Sequence, residues 1–184
     1  MDRMKRFLDI YVPTEICNFK CTYCYVNQVG NANGKIGEIG HSAEEIKKAL
    51  SKKRLGGICF INFCAGGETL IGEDILPVIK SLLEEGHYVQ IVTNGVLTNR
   101  IYEILNWNKD LLERIFFKLS FHYLELRRLD LLNCFFDNVD LIKNKGISFT
   151  LELMPHDELI PYINEIKEVC LENNLAKELV CFCK

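Results

Sequence analysis

Short apolar runs alternate with longer amphipathic ones along this chain. "RFLDIYV" (6–12), "GICFINFC" (57–64), "HYVQIVT" (87–93), "IFFKLSFH" (115–122) and "ISFTLEL" (147–153) predict strands, and "ELVCFC" (178–183) predicts the start of a sixth. The segments between them predict helices over 42–54, 72–86, 98–106, 124–145 and 157–174. Ser42 and Glu45 have capping-box spacing, so each side chain can satisfy a free backbone donor of the other. Pro77 is tolerable near the first turn of its helix, and Gly86 can end that helix in a left-handed conformation. Leu132, Phe135, Phe136, Val139 and Ile142 fall on one stripe of the 124–145 helix. The Gly- and Asn-rich stretch 29–40 predicts a flexible surface excursion.

Strands alternating with helices imply parallel pairing through right-handed crossovers. Five strand–helix units and a sixth strand fall short of a closed eight-fold barrel, which usually needs about 200 residues or more. The expected fold is therefore α/β: a partial (β/α)6-type TIM-like barrel, a curved parallel sheet with helices outside, in one domain over 1–184.

Parallel strands covered on both faces read apolar on both. These do not. Phe149, Leu151 and Leu153 oppose Ser148, Thr150 and Glu152; Leu8, Ile10 and Val12 oppose Phe7, Asp9 and Tyr11. The second faces bring Asp9, Tyr11, Gln90, Lys118, Ser120, His122, Thr150 and Glu152 to the concave side. Unpartnered polar groups are costly in a dry interior, so a hydrated or ligand-filled cavity is expected, with Lys118, Glu152 and Tyr11 as substrate-facing candidates. The alternative is an internal network in which Lys118 and Glu152 or Asp9 neutralise one another.

Charge and composition narrow the partners. The net charge is -3 with no long basic run, which disfavours nucleic acid and anionic membranes. No stretch of about 18 apolar residues exists, and the N-terminal "MDRMKRFLDIYVPTE" lacks the apolar region of a signal peptide, so a cytoplasmic protein is expected. In that reducing compartment the nine cysteines stay thiols, and a tight cluster reads as metal-binding or catalytic.

Cys17, Cys21 and Cys24 form such a cluster, directly after the first strand. Iron–sulfur clusters usually take four cysteines; three leave one iron of a four-iron cluster free to bind something else. A zinc site recruiting Cys64 is the competing reading, but zinc usually sits on paired C-x-x-C units. Cys59, Cys134 and Cys170 read as small buried hydrophobes, and Cys181 with Cys183 as a candidate start of a second metal site. His122, ending a strand beside Ser120, reads as a site residue; His41, His87 and His156, at element ends, are expected to be solvated.

The Cys17-x-x-x-Cys21-x-x-Cys24 run, "CAGGETL" with Gly66, Gly67 and Glu68 ending strand two, "VTNG" (92–95) and "LSFH" (119–122) resemble, in order and position, the motifs of radical S-adenosylmethionine (radical SAM) enzymes. The resemblance implies a 4Fe-4S cluster on Cys17, Cys21 and Cys24, whose fourth iron binds the amino and carboxylate groups of S-adenosyl-L-methionine. It implies Gly66, Gly67 and Glu68 at the amino group, Tyr23 and Met154 near the adenine, and Asn94, Ser120 and His122 at the ribose. Arg127 or Arg128 is the candidate for the carboxylate. The implied chemistry is reductive cleavage to a 5′-deoxyadenosyl radical that abstracts a substrate hydrogen, fed by a flavodoxin- or ferredoxin-type electron donor. Thr69 stands where the family commonly has Pro. The cysteine-loop wording most resembles the peptide- and protein-modifying branches and the glycyl-radical activating enzymes, so a peptide or protein substrate is implied beside a small molecule. An incomplete barrel leaves a strand edge for a dimer mate, partner or further segment to cover. The competing class is a non-catalytic, metal-stabilised binding module of the same fold.

Overall fold

The computed structural model describes residues 3–30 and 34–175, and the backbone of 179–181. The elements in chain order are β1 (Arg6–Val12), α1 (Tyr25–Gln28), α2 (Ala43–Ala49), α3 (Lys52–Leu55), β2 (Cys59–Ala65), α4 (Ile75–Glu84), β3 (Tyr88–Thr93), α5 (Thr98–Leu105) and α6 (Lys109–Leu112). There follow β4 (Ile115–Phe121), α7 (Tyr123–Arg128), α8 (Leu132–Asn144), β5 (Ser148–Leu153), a 3₁₀ segment (Asp157–Tyr162), α9 (Ile163–Glu172) and β6 (Leu179–Cys181). The strands form one sheet in the order β1-β2-β3-β4-β5-β6, every neighbouring pair parallel. This is the partial barrel that the strand–helix alternation predicts.

The two faces of the sheet divide as the alternation requires. Ile61, Phe63, Val89, Ile91, Phe117, Leu119 and Leu151 are fully buried on one face, with Ile79, Leu82, Ile104, Phe135, Val139 and Ile142 from the helices. Each such side chain contributes about 1.5–3 kcal/mol, so this layer carries the fold. On the other face Asp9, Asn62, Gln90, Phe116 and Ser148 stand side by side in register. There the edge residues Phe7 and Tyr11 are 60% and 59% exposed.

Several predicted helices are interrupted, each for a local reason. The 42–54 segment breaks at Leu50 and Ser51, where Ser51 takes up an extended ψ of 147° and α3 begins; the Ser42–Glu45 capping box forms as expected at its start. The 124–145 segment breaks at Asp130, whose φ of 55° closes a Schellman motif through Leu131 N–H to the Leu126 carbonyl at 2.8 Å. In the 157–174 segment Pro161 has no N–H to donate, and a 3₁₀ segment precedes α9. Gly86 ends α4 at φ +98°, as expected. The loop expected to be a free excursion is pinned in its second half: Thr14 and Ile36 form an antiparallel bridge, and Glu15 N–H donates to the Lys35 carbonyl at 2.8 Å.

His87 is not solvated. It is fully buried; its Nδ1 accepts from Cys59 N–H at 3.1 Å, which leaves Nε2–H to donate to the Leu50 carbonyl at 2.8 Å. It staples the starts of β2 and β3 to the end of α2. Cys183 lies outside the described residues, as does the Cys181 side chain, so the candidate second metal site falls outside the description. No helix among the described residues is long and apolar enough to cross a membrane.

Candidate functional site

The carboxyl ends of β1 to β5 meet around the loop that carries the three cysteines, where loops build sites in such sheets. Residues 14–16 leave β1 and run beside the Gly66–Glu68 turn, with Gly67 N–H donating to the Thr14 carbonyl at 2.7 Å and Glu68 N–H to the Ile16 carbonyl at 2.9 Å. The approach is so close that a Cβ on Gly67 would sit 2.0 Å from the Ile16 carbonyl oxygen. A Cβ on Gly66 would crowd the Tyr11 hydroxyl at 2.5 Å and meet the Thr14 carbonyl oxygen at an ordinary 3.7 Å.

Glu68 is buried and accepts three hydrogen bonds: from Leu70 N–H at 3.1 Å, Thr93 Oγ1 at 2.6 Å and Asn94 N–H at 2.8 Å. Burial pushes its carboxyl up while these donors pull it down. The side chain thereby ties the end of β2 to the end of β3. Asn94, expected at a ribose, is buried and spends its Nδ2 on Asn18 Oδ1 at 2.7 Å, with Cys17 Sγ at 3.9 Å. It braces the cysteine loop from one side.

Glu125 braces the loop from the other, and sequence reasoning missed it. Lying in α7 and 5% exposed, it accepts from Lys20 N–H at 2.7 Å and takes a two-pronged pair from Arg128 at 2.8 and 2.7 Å. The Arg128 guanidinium holds its carboxyl below the usual range. The i,i+3 spacing of Glu125 and Arg128 just after "LSFH" was the available signal. Arg127 pairs with Glu165 at 3.3 Å and lies over the Tyr123 and Tyr162 rings. Both arginines proposed for a ligand carboxylate are thus engaged with protein carboxylates.

Of the thiols, Cys17 is exposed, Cys24 half-buried and Cys21 buried. Phe19 N–H donates to Cys17 Sγ at 3.4 Å. Desolvation pushes the Cys21 thiol up to about 11 and raises Cys17 as well, although Cys17 is exposed as a residue. The three are close enough for their charges to act on one another. Thiols in such a setting become thiolates when cations neutralise them, which is what iron supplies. Among the described residues no three His, Cys, Asp or Glu side chains converge on one ion-sized centre. Three sulfurs on separate irons of a cluster need no such convergence, so the donor set suits a cluster. Cys64 has other neighbours: the Ile10 carbonyl at 3.9 Å and the charges of Asp9 and Lys118.

Tyr23, inside the cysteine loop, is hydrogen-bonded through its hydroxyl to His122 Nδ1 at 2.8 Å. The His156 ring stacks on Tyr23 at 3.8 Å between centroids and 23° between planes, so His156 belongs to the site rather than to solvent. Burial pushes His122 down from 6.5 to about 4, keeping it neutral. A histidine depressed in the folded state contributes stability that is complete above 6.5 and is lost as pH falls toward 4. Between pH 6.5 and about pH 5 the loss is roughly 2 kcal/mol, because the unfolded chain alone takes up the proton. Urea unfolding of the apo chain should show this slope, and His122→Phe should remove that share of it; an identical slope in the variant would contradict the assignment.

The remaining candidates line the concave wall. Lys118 Nζ and Glu152 Oε2 form an ion pair at 2.8 Å, the internal neutralisation weighed above. Asp9 Oδ1 accepts from Asn62 Nδ2 at 2.8 Å, and Asn62 Oδ1 from Gln90 Nε2 at 2.8 Å, a ladder across three strands to which Asn62 is an addition. Ser120 stands half-buried beside Glu152, and Tyr11 reaches over Gly66. Met154, just past β5, is 52% exposed and offers its carbonyl to His156 Nδ1 at 3.1 Å.

Comparison with known proteins matches this arrangement. The family model for the radical SAM superfamily matches residues 11–168. The 7-carboxy-7-deazaguanine synthase of Thermoplasma acidophilum is 30% identical over 91 residues, 50% of this chain and 39% of that protein. The solved structure of native anSMEcpe with bound AdoMet superposes with a TM-score of 0.65 at 20% identity, over 96% of this chain and 50% of that one. Streptococcus suis SuiB bound to precursor peptide SuiA gives 0.65 at 17% identity, over 94% of this chain and 38% of that one. This chain thus spans half or less of the length of each. Four motifs in register, a braced three-thiol loop at the strand ends and a family match over most of its length show that the chain belongs to the radical SAM superfamily.

Proposed function

We propose that the chain is the cluster-bearing core of a radical SAM enzyme that removes a hydrogen atom from its substrate. Cys17, Cys21 and Cys24 would hold a 4Fe-4S cluster, leaving one iron for S-adenosyl-L-methionine. When bound, these groups supply one-electron reductive cleavage of the sulfonium S–C5′ bond. The observation that carries the reading is the bracing of the cysteine loop on three sides, by the Gly67–Glu68 backbone, by Asn94 and by Glu125. A loop held so firmly sets ligand positions before any ligand arrives, and such preorganisation is what a redox site requires.

The chain's own residues divide the work. Gly67 lets residues 14–16 lie against the strand-two turn, Gly66 leaves room for the Tyr11 hydroxyl, and Glu68 fixes that turn against β3. Tyr23, with His122 behind its hydroxyl, presents an aromatic face for a nucleobase, and Ser120 and Met154 border the same end of the sheet. Asp9, Asn62, Gln90, Lys118, Glu152 and Tyr11 line the wall a substrate would meet. The substrate class includes peptides, on the likeness to SuiB bound to precursor peptide SuiA and to anSMEcpe bound to the Cp18Cys peptide, and small molecules, on the likeness to the deazaguanine synthase. The low-potential electron comes from a flavodoxin- or ferredoxin-type donor in a cytoplasmic setting, and a dimer mate or a further segment covers the open sheet edge.

Anaerobic reconstitution with iron and sulfide tests the reading. The wild-type chain should take up about four irons and, with S-adenosyl-L-methionine and dithionite, release 5′-deoxyadenosine. Cys21→Ala should reduce both to background. Full iron loading in that variant would remove the ligand assignment, and a loaded wild type without product would leave a binding module.

A further inference from the structure

Pairing of β1 with β2 gathers cations that lie far apart in the sequence. Arg6 stands opposite Cys59, so residues 3–5 run beside the turn that leads from α3 into β2. Lys5 N–H donates to the Ile58 carbonyl at 2.8 Å and carries the pairing one residue further. Arg3, Lys5 and Lys52 thereby surround a cavity of about 310 Å³, whose remaining wall is Gly56, Gly57 and Ile58. The cavity lies at the amino ends of β1 and β2, the end opposite the cysteine loop.

Two glycines let the lysines lie where they do. A Cβ on Gly57, whose φ is +142°, would sit 2.8 Å from Lys5 Cγ, and one on Gly86, whose φ is +98°, would sit 2.8 Å from Lys52 Nζ. Each lysine therefore lies directly against backbone. No acidic residue lines the cavity, and among the described residues none of the three cations pairs with a carboxylate. Glu85 accepts from Lys52 N–H at 2.9 Å but forms no ion pair with the Lys52 ammonium. Like charges around one small cavity repel one another, here in a chain whose net charge is -3. An anion with several charged oxygens relieves that repulsion and gives each cation an acceptor, and the fork of Arg3 fits two oxygens of one phosphoryl group. We propose that this cavity binds the phosphoryl groups of a small polyphosphate anion, free or carried by a nucleotide. The site ties the segment before β1 to α3, and it does not depend on the function proposed above.

Calorimetric titration of the full chain with pyrophosphate and with ATP is the test. Pyrophosphate should bind. ATP binding within about threefold of it assigns the phosphoryl group whatever carries it, and pyrophosphate binding alone assigns the free anion. Lys5→Gln and Lys52→Gln should each weaken pyrophosphate binding by about threefold to tenfold, and the double variant by more than about tenfold. Both side chains are exposed and neither uses its ammonium within the protein, so the fold tolerates the changes. Lys53→Gln with Arg54→Gln removes two exposed cations of α3 that do not line the cavity, and should change binding by less than about twofold. A loss in that control as large as in the Lys5 and Lys52 double variant would show a diffuse field and overturn the site. Binding of ATP alone, or of neither compound, overturns it too. A failure here leaves the cysteine-loop reading intact, because release of 5′-deoxyadenosine tests that reading separately.

Discussion

Glu68→Ala lowers the stability of the apo chain by about 3 kcal/mol, because three donors now bonded to one buried carboxylate lose their acceptor together. Each orphaned donor costs about 1–3 kcal/mol, and the total is reduced because a buried charge is removed as well. The break falls where β2 and β3 are tied, next to the strand that Asn94 uses to brace Asn18, so iron loading should fall with stability. Glu68→Gln keeps one oxygen for Leu70 and Thr93 but turns a donor toward Asn94 N–H, and should lose about half as much. Urea unfolding of the three apo proteins gives the comparison. A loss under about 1 kcal/mol for the alanine variant would mean that water replaces the carboxylate and that Glu68 is no tie.

Gly67→Ala should be at least as damaging, and by a different route. The new methyl would lie 2.0 Å from the Ile16 carbonyl oxygen, and that neighbour is backbone, unable to step aside. Segment 14–16 must then leave the strand-two turn, which breaks the Gly67–Thr14 and Glu68–Ile16 bonds and moves the cysteine loop. The expected result is a loss of about 3 kcal/mol or more and negligible iron uptake. Gly66→Ala is the internal control. Its methyl crowds only the Tyr11 hydroxyl, the far end of a side chain that is 59% exposed and free to turn, and meets the Thr14 carbonyl oxygen at an ordinary 3.7 Å. It should cost under about 1 kcal/mol, and Tyr11→Phe should remove most of that, a coupling visible in a double-mutant cycle. Comparable damage from both glycine variants would show that conformational entropy, and not the approach of Ile16, governs this turn.

These variants and the pH dependence of His122 probe one structure from separate directions. Three connections converge on the cysteine loop: the strand-two turn, Asn94 and Glu125. A fourth, the Tyr23–His122–His156 group, closes it toward β4 and β5. The concave wall is tied less to the loop than to itself, through the Asp9–Asn62–Gln90 ladder and the Lys118–Glu152 pair. Loop and wall can therefore respond separately to substitution.

What the sequence determined by itself is what depends on local repetition. The two-residue alternation in the strands set which face meets the helices, and the strand–helix order set parallel neighbours, so the sheet and its polar inner face were legible before any contact was known. The place of Cys17, Cys21 and Cys24 at a strand end followed from the same reading, since a loop after a strand has nowhere else to go. Only the tertiary structure decided which side chains hold that loop. Glu125 reaches Lys20 across 105 positions, and Tyr23 meets His122 across 99. No periodicity reports such pairings, because they depend on how the far ends of separate strands curve together. For the same reason His87 and His156 changed meaning once folded, and Asn94 gained a role in bracing the cysteine loop. An element-end histidine is solvated or buried according to what packs over it, and an amide beside a ligand site serves the ligand or the loop according to which lies within hydrogen-bonding reach.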